Sequence, residues 1–298
     1  MIFIKEGTVM LQIGTILSLM SALMGGGAPT PDIMMEPPVI MIENEKTTPI
    51  DDPVEVPPQP QQNNPSVGYY DRKSWWFKRN KENTPPSAQY EIAIGNYDAY
   101  YLGDTQKKTI YLTFDEGYEN GYSEKILDVL KEYDVKAAFF VTKSYIRDNQ
   151  ELIQRMVAEG HIVGNHSVTH PDMTKLTAEQ IASEIQDCAA YFKEVTGQEM
   201  PHFFRPPEGV YSIFSLEQTQ AQGYKTIFWS FAYGDWDVNH QPGKQNAYNM
   251  VMENYHNGSI MLLHAVSQSN TEALPDIITS LREKGYTFMS LEDLPEKS

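Results

Sequence analysis

Two pairs of side chains in this sequence have the types and spacing that metal-assisted hydrolysis needs. His166 and His170 are four residues apart, so a helical turn here would place both imidazoles on one face, within reach of one metal ion. Asp115 and Glu116 are adjacent carboxylates followed by Gly117. Because neighbouring residues point apart on a strand, we expect this pair where a strand breaks, with both carboxylates facing one pocket. Two histidines and one carboxylate form a common open catalytic site.

Three further segments carry a charged or ionisable residue beside a rigid turn or an apolar run. Arg205 opens Arg-Pro-Pro-Glu-Gly, where two prolines stiffen the turn and the guanidinium can hold a carboxylate. Asp235 precedes Trp236, and His264 follows the apolar run that contains Leu262. Each motif alone also fits a surface turn, a helix cap or a structural histidine. Their chemistry therefore depends on whether one fold brings them together.

Short apolar runs with strand character alternate with helical patterns, which is typical of parallel βαβ units. The runs expected as strands are Thr109–Phe114, Ala137–Val141, His161–Gly164, Phe203–Arg205, Lys225–Ser230, Ser259–Leu263 and Thr287–Ser290. All five motifs follow the ends of such runs. The pattern predicts an α/β fold, a distorted and incomplete (β/α) barrel of about seven parallel strands with its active site at the C-terminal strand ends.

Two of the intervening helices have clear boundaries in the sequence. One begins after Thr177, where Gln180 completes a capping-box pattern, and it stops at Gly197. Another carries an apolar stripe over residues 152–157 and stops at Gly160.

The composition excludes several classes of protein and site. With 23 basic and 40 acidic residues, the net charge of −17 is a poor match for a nucleic-acid backbone. Cys188 is the single cysteine, so an intramolecular disulfide and a cysteine-rich metal site are both excluded. We interpret Cys188 as a small buried apolar residue. No obligate protein partner is evident.

The N-terminal part of the chain predicts a leader and a spacer. Residues 1–28 combine Lys5, a moderately apolar run and a small-residue end, which are the parts of a secretory signal or membrane anchor; a disordered start is the alternative. Residues 29–68 are rich in proline, acids, Gln and Asn and are expected to be a disordered linker. We expect the catalytic domain over residues 69–298, exported to the cell wall or the outer face of the membrane, with a possible membrane tether at the N-terminus.

Taken in order, the five motifs resemble those of the polysaccharide deacetylase family (carbohydrate esterase family 4). The family's Thr-Phe-Asp-Asp-Gly is present at 113–117, with Glu116 in place of its second aspartate. Its His-Ser/Thr-x-x-His lies at 166–170, its Arg-x-Pro-x-Gly at 205–209, its Asp-Trp at 235–236 and its Leu-x-His at 262–264. The resemblance spans about residues 104–294 and implies a metal-dependent hydrolase of a linear amide, which removes N-acetyl groups from amino sugars.

The resemblance also implies the catalytic and metal-binding roles. His166, His170 and Glu116 would bind one divalent metal ion, with zinc expected and cobalt, manganese or magnesium as alternatives. Asp115 would act as general base and His264 as general acid. Because the extra methylene of Glu116 moves its carboxylate by about 1.5 Å, against ligand tolerances of about 0.2 Å, we expect Glu116 to bind the metal poorly unless the loop shifts.

Supporting roles follow from the same resemblance. Arg205 would orient the general base, and Asp235 would hold and tune the general acid. The backbone N–H of Glu208 would stabilise the oxyanion. Trp236 and Leu262 would line the pocket for the acetyl methyl group.

A closer resemblance is to the delta-lactam-biosynthetic branch, which has Asp-Glu-Gly and acts on muramic acid in the peptidoglycan of spore cortex. Residues 116–122, 76–79 and 101–104 carry this likeness. The implied substrate is N-acetylmuramic acid in peptidoglycan glycan strands, deacetylated as a step towards muramic delta-lactam during sporulation. N-acetylglucosamine in peptidoglycan or in chitin-like oligomers is the alternative substrate. A catalytically silent protein that binds cell-wall glycan is the alternative of another class.

A muramic substrate sets an electrostatic condition, because its lactyl ether bears a carboxylate and the protein's net charge is −17. The groove must therefore supply local cations. Lys78, Arg79, Lys143 and Arg147 are the candidates.

Overall fold

A computed structural model describes residues 68–89 and 92–295 of the chain. The strands are β1 (Lys73–Ser74), β2 (Phe77–Lys78), β3 (Ser87–Ala88), β4 (Ala99–Tyr100), β5 (Thr109–Glu116), β6 (Ala138–Val141), β7 (Ile162–Asn165), β8 (Phe203–Phe204), β9 (Val210–Tyr211), β10 (Lys225–Ile227), β11 (Ser259–His264) and β12 (Thr287–Phe288). The α-helices are α1 (Ser123–Glu132), α2 (Lys143–Asp148), α3 (Gln150–Ala158), α4 (Ala178–Thr196), α5 (Ile213–Ala221), α6 (Lys244–Met252) and α7 (Gln268–Glu283). The predicted leader (1–28) and all but the last residue of the predicted linker (29–68) lie outside the described residues.

One curled parallel sheet organises the described chain. Its strand order is β11-β5-β6-β7-β8-β10-β4, and β12 also pairs with β5. Beyond β10, Phe231 pairs with Met261 of β11, and the N–H of Leu262 donates to the Phe231 carbonyl at 2.8 Å. These contacts bring the two ends of the sheet together. The predicted incomplete (β/α) barrel is confirmed, with each of the seven expected strands present and the two-residue strand β4 added.

The alternation of side chains along β5 decides which residues reach the barrel interior. Ile110, Leu112 and Phe114 belong to the core between the sheet and the helices, whereas Tyr111 belongs to the core inside the barrel. Side chains two residues apart share a face of a strand. Asp115 therefore shares the face of β5 that points into the barrel, and Glu116 shares the face that points towards the helices.

The helix boundaries follow the signals in the sequence. Thr177 caps α4 with a complete capping box to Gln180, and Gly197 ends the helix in the left-handed conformation at φ 72°. Gly160, also left-handed at φ 77°, follows α3. Both predicted boundaries are confirmed. Cys188 of α4 is fully buried in the core between the sheet and the helices, as interpreted from the sequence.

Residues 68–89 contact the barrel through strand pairing and aromatic packing. β1 pairs antiparallel with β9, and Trp75 stacks on Phe228 with ring centroids 4.5 Å apart. Across 68–89 and 92–295, none of the helices has the length and apolar character that crossing a membrane requires.

Candidate active site

A cavity of about 690 Å³ opens beside the C-terminal ends of the barrel strands. Its lining consists of Asp115, Gly117, Tyr118, His166, His170, Glu208, Trp229, Ala232, Trp236, Leu262, His264 and Val266. Seven of the ten residues singled out from the sequence are in this lining. Arg205 and Asp235 are fully buried and hydrogen-bond to lining residues. Glu116 is not part of this arrangement.

Asp115 is fixed by a buried guanidinium. Nη1 of Arg205 donates to Oδ1 of Asp115 at 2.7 Å, and Nε of Arg205 donates to the Ile227 carbonyl at 3.0 Å. Burial alone would raise the pKa of Asp115, but the charge of Arg205 and the imidazoles of His166 and His264 outweigh it, so the pKa lies below its usual value. Asp115 is therefore a carboxylate near neutral pH, able to accept a proton.

His264, which lines the same cavity, is held by Asp235. Nδ1 of His264 donates to Oδ1 of Asp235 at 2.7 Å, and the backbone N–H of His264 donates to Oδ2 at 2.9 Å. Burial alone would lower the pKa of His264, but the hydrogen bond and charge of Asp235 outweigh it, and the pKa is raised. With Nδ1 engaged, Nε2 is the nitrogen left for the substrate.

His166 and His170 converge, but through a loop and not through the helical turn considered from their spacing. Ser167 and His170 are left-handed, with φ values of 72° and 58°. The Asn165 side chain accepts from the Ser167 N–H at 2.9 Å, and Oγ of Ser167 accepts from the His170 N–H at 2.9 Å. The resulting bend brings the two imidazole centroids to 4.8 Å.

The two imidazoles offer metal-binding nitrogens of suitable chemistry. Nδ1 of His166 lies 2.7 Å from the Arg205 carbonyl, so it carries the proton, and Nε2 keeps its lone pair for a cation. Burial lowers the pKa of His166 to about 4, which keeps the ring neutral. Oδ2 of Asp115 is 3.7 Å from that Nε2. The histidine pair therefore fits a divalent cation.

Glu116 does not join that pair, which corrects the expectation that both adjacent acids face one pocket. β5 continues through Glu116 without a break, so the two side chains diverge. Glu116 is fully buried, where Oε1 accepts from Oγ of Ser123 at 3.3 Å and Oε2 has no partner. Burial, together with the charges of Glu119 and Asp115, raises its pKa well above the usual value. Across 68–89 and 92–295, no three His, Cys, Asp or Glu side chains are grouped to hold a metal ion, and Glu116 does not line the cavity with the two histidines.

The turn that contains Glu208 forms one wall of the cavity. Glu208 and Gly209 are consecutive left-handed residues, with φ values of 56° and 66°. A Cβ on Gly209 would lie 2.7 Å from the Trp229 ring and 3.2 Å from Cβ of Trp75. The glycine of the Arg-Pro-Pro-Glu-Gly motif is therefore required by both its backbone conformation and its close packing.

Several residues of the site carried no signal that singled them out from the sequence. Trp229 lines the cavity, and its ring lies 5.7 Å from the Arg205 guanidinium carbon. Tyr118 lines the mouth with 53% of its surface exposed. Asn270 of α7 donates from Nδ2 to Oδ2 of Asp235. In the sequence, Tyr118 stands out only as part of the segment 116–122, with no role assigned to it, and Asn270 does not stand out at all.

Known proteins are similar to this chain in sequence and in fold. A family model described as polysaccharide deacetylase matches residues 102–227. The peptidoglycan-N-acetylmuramic acid deacetylase PdaA of Bacillus subtilis is 50% identical over 223 residues, which cover 74% of this chain and 85% of that protein. A peptidoglycan-N-acetylglucosamine deacetylase of Bacillus cereus is 30% identical over 193 residues, which cover 63% of this chain and 88% of that protein.

A solved structure supports the same assignment. The structure of Bacillus subtilis PdaA, described as a family 4 carbohydrate esterase, matches with a TM-score of 0.74 and 48% identity. The match covers 76% of this chain and 97% of that chain. The chain belongs to the polysaccharide deacetylase family, carbohydrate esterase family 4, and is a hydrolase of that family.

Proposed function

We propose that this chain is a metal-dependent peptidoglycan deacetylase that hydrolyses the N-acetyl group of N-acetylmuramic acid. The main observation behind this proposal is that Asp115 and His264 line the same cavity, with the pKa of Asp115 lowered and that of His264 raised. A carboxylate with a lowered pKa and an imidazole with a raised pKa form an acid–base pair near neutral pH.

The reaction adds water to the acetyl carbonyl and breaks the C–N bond, giving acetate and a free amine. Asp115 accepts the proton from the attacking water, and Arg205 keeps the Asp115 carboxylate aimed and ionised. His264 donates its Nε2 proton to the departing amine, and Asp235 stabilises the imidazolium before that transfer. A divalent ion held by His166 and His170 would supply Lewis-acid polarisation of the carbonyl and of the water.

The choice of muramic acid is supported by resemblance. The relative with 50% identity is named as an N-acetylmuramic acid deacetylase, and the Asp-Glu-Gly sequence at 115–117 is similar to that branch. We propose that the product amine is a step towards muramic delta-lactam in sporulation. The complete acid–base pair also argues against a catalytically silent wall-binding protein.

One observation favours a second candidate, deacetylation of N-acetylglucosamine in peptidoglycan or chitin-like oligomers. The cavity lining contains Asp115 and Glu208 and, within the described residues, no lysine or arginine. Such a lining suits a neutral sugar better than one that carries a carboxylate.

The proposed substrate lies outside the cytoplasm, so the proposal includes export. Residues 1–28 would be the signal or anchor that carries the domain across the membrane, and residues 29–68 would be the spacer. Mass spectrometry of the mature N-terminus in a secreting host distinguishes cleavage from retention, and accumulation in the cytoplasm would contradict export.

The substrate and the metal are tested together with the purified full chain. We expect faster acetate release from peptide-free glycan strands than from chitin oligomers, with mass spectrometry locating the new amine on muramic residues. Faster release from chitin would overturn the muramic assignment and leave the deacetylase intact. A chelator is expected to stop the reaction and added zinc to restore it, whereas undiminished turnover of metal-free protein would overturn metal dependence.

A further inference from the structure

The lining of the active-site cavity offers a carboxylate-bearing substrate no basic side chain of lysine or arginine from the described part of the chain. It includes the acidic side chains Asp115 and Glu208. Two guanidinium groups lie beside this lining, and both are engaged: that of Arg205 is fully buried and hydrogen-bonded to Asp115, and that of Arg79 donates to the carbonyl of the lining residue Ala232. A basic side chain that pairs with a muramic carboxylate must therefore come from outside this lining.

A second cavity, of about 480 Å³, shares a wall with the active site. Its lining residues are Lys143, Ser144, Arg147, Val168, Thr169 and Tyr191. His166 and His170 line the active-site cavity, whereas the intervening Val168 and Thr169 line the second one. The backbone N–H of Lys143 donates to the Ser167 carbonyl at 3.1 Å, which ties the start of α2 to this loop. The two cavities therefore lie on either side of a single loop.

Two acidic side chains beside this second cavity, Asp148 and Glu184, are already engaged. Arg147 makes a two-point ion pair with Asp148, with Nε–Oδ1 and Nη2–Oδ2 distances of 2.7 and 2.8 Å. Glu184 accepts from the backbone N–H groups of Val168 and Thr169 at 2.8 and 2.9 Å. It also accepts from the Thr169 hydroxyl at 2.7 Å.

Lys143 lines the same cavity and, unlike Arg147, forms no ion pair with another described residue. Its Nζ lies 5.5 Å from the centroid of the Tyr191 ring, which positions the ammonium without neutralising it. Ser144 and Tyr191 add hydroxyl groups to the same lining. Oγ of Ser144 also shares a hydrogen bond with Oγ1 of Thr142 at 2.9 Å. An ammonium in a lining that also carries hydroxyl groups is suited to a carboxylate.

We propose that this cavity, centred on Lys143, is a subsite for a carboxylate of the peptidoglycan strand whose N-acetyl group is in the active site. The inference rests on the proposed function, because a neutral glycan would have no use for it. The carboxylate comes either from the lactyl ether of muramic acid or from a stem peptide attached to it. Recognition here gives an acidic protein local attraction for an anionic polymer that its net charge of −17 repels at long range.

The test compares Lys143→Gln with the wild-type full chain on three substrates. On peptide-free glycan strands we expect KM to rise about 10-fold with kcat unchanged, the effect of losing one charge-assisted hydrogen bond. On neutral chitin oligomers KM stays the same. Lys143→Arg keeps the positive charge, so its KM for glycan strands should be close to that of the wild type. A larger effect on peptide-bearing strands than on peptide-free ones assigns the subsite to a stem carboxylate, and equal effects assign it to the lactyl group.

Lys125→Gln is the matched control, because Nζ of Lys125 lies 5.1 Å from the Tyr122 ring but lines neither cavity. An unchanged KM for both kinds of strand in Lys143→Gln, or an equal rise with chitin, would overturn the subsite. Failure of the proposed function is a separate result, in which the wild type releases no acetate from glycan strands. In that case the affinity of strands for Asp115→Asn, measured with and without Lys143→Gln, still tests the subsite, and equal affinities would overturn it.

Discussion

Asp115 and Glu116 are consecutive residues of β5, but their carboxylates lie on opposite faces of the sheet. Asp115 lines the active-site cavity and is held by Arg205 at 2.7 Å. Glu116 is buried on the helix side, where Ser123 is the only hydrogen-bond donor to its carboxylate within the part of the chain that the structure describes. The two environments move the pKa of Asp115 down and that of Glu116 up. One carboxylate is thus prepared for proton transfer, and the other costs stability when it ionises.

Glu116→Gln is expected to stabilise the fold at neutral and alkaline pH. A carboxyl group whose pKa is raised in the folded state keeps its proton there after the unfolded chain has lost it, so stability is lost as pH rises above the ordinary value. Replacement by a neutral amide removes this penalty, with a gain on the order of 1 kcal/mol. Thermal unfolding at about pH 5 and about pH 8 measures the difference, which should grow with pH. The exposed Glu124→Gln is the control, and a gain of equal size at both pH values would contradict the mechanism.

Metal binding should separate Glu116 from the histidines. His166→Ala and His170→Ala each remove an imidazole of the converging pair and should weaken zinc binding by more than the roughly 10–100-fold that loss of an outer partner costs. Glu116→Gln should leave the zinc affinity unchanged, because this side chain does not line the cavity. Equilibrium dialysis with zinc measures all three variants. Zinc binding that is lost in Glu116→Gln would contradict the placement of that residue.

Asp115→Asn is expected to lower kcat by about 10²–10⁴-fold, the usual contribution of a positioned general base. The amide oxygen of asparagine can still accept the hydrogen bond from Arg205, so the fold should be retained. Acetate release measures the activity, and circular dichroism checks the fold. A folded variant with near-normal turnover would remove Asp115 from the reaction.

The pH profile of the enzyme should depend on Asp235. Its hydrogen bond and charge raise the pKa of His264, so the acid form of the imidazole persists to higher pH and activity falls only when pH rises through that raised value. Asp235→Asn should therefore move the basic limb of kcat to lower pH and reduce kcat by about 10-fold or more. The acidic limb, set by the lowered pKa of Asp115, should stay in place. Equal movement of both limbs would indicate a general loss of structure.

The sequence predicted the barrel because buried parallel strands are continuous apolar runs, and the apolar stretch from Ile110 to Phe114 is such a run. It also predicted which strand ends meet, because the C-terminal ends of parallel strands share one side of a barrel. It could not predict where β5 ends, and that boundary decides the direction of Glu116. A pattern of residue types does not encode whether a strand continues for one more residue.

The sequence also could not predict contacts between segments that are far apart in the chain. Asn270 bonds to Asp235 across 35 positions of the chain, and only the packing of α7 against the barrel determines that distance. The convergence of His166 and His170 depends on two left-handed residues, one of them His170 itself. Left-handed conformations at residues other than glycine are uncommon. Ser167 and His170 are not glycines, so the sequence gives no indication that either adopts one.

Tyr118 at the mouth of the cavity is expected to bind a sugar ring of the strand. It is 53% exposed, and the structure gives its ring no hydrogen bond or aromatic partner among the described residues. The loop that carries it is held by Glu119, whose carboxylate accepts from the Tyr122 N–H at 2.9 Å and from the Tyr145 hydroxyl at 3.0 Å. A large aromatic face fixed at an active-site mouth suits the C–H groups of a pyranose.

Tyr118→Ala should therefore raise KM for glycan strands by between about 2-fold and about 10-fold, from the roughly 0.5–1.5 kcal/mol that an aromatic contact contributes. Hydrolysis of a small aryl acetate, which is too short to reach the mouth, should be unchanged, and Tyr118→Phe should behave as the wild type. Tyr70→Ala is the control, because Tyr70 is 50% exposed but does not line the cavity. A KM for strands equal to that of the wild type would exclude Tyr118 from substrate binding, and a parallel loss with the aryl acetate would assign it to the catalytic step instead.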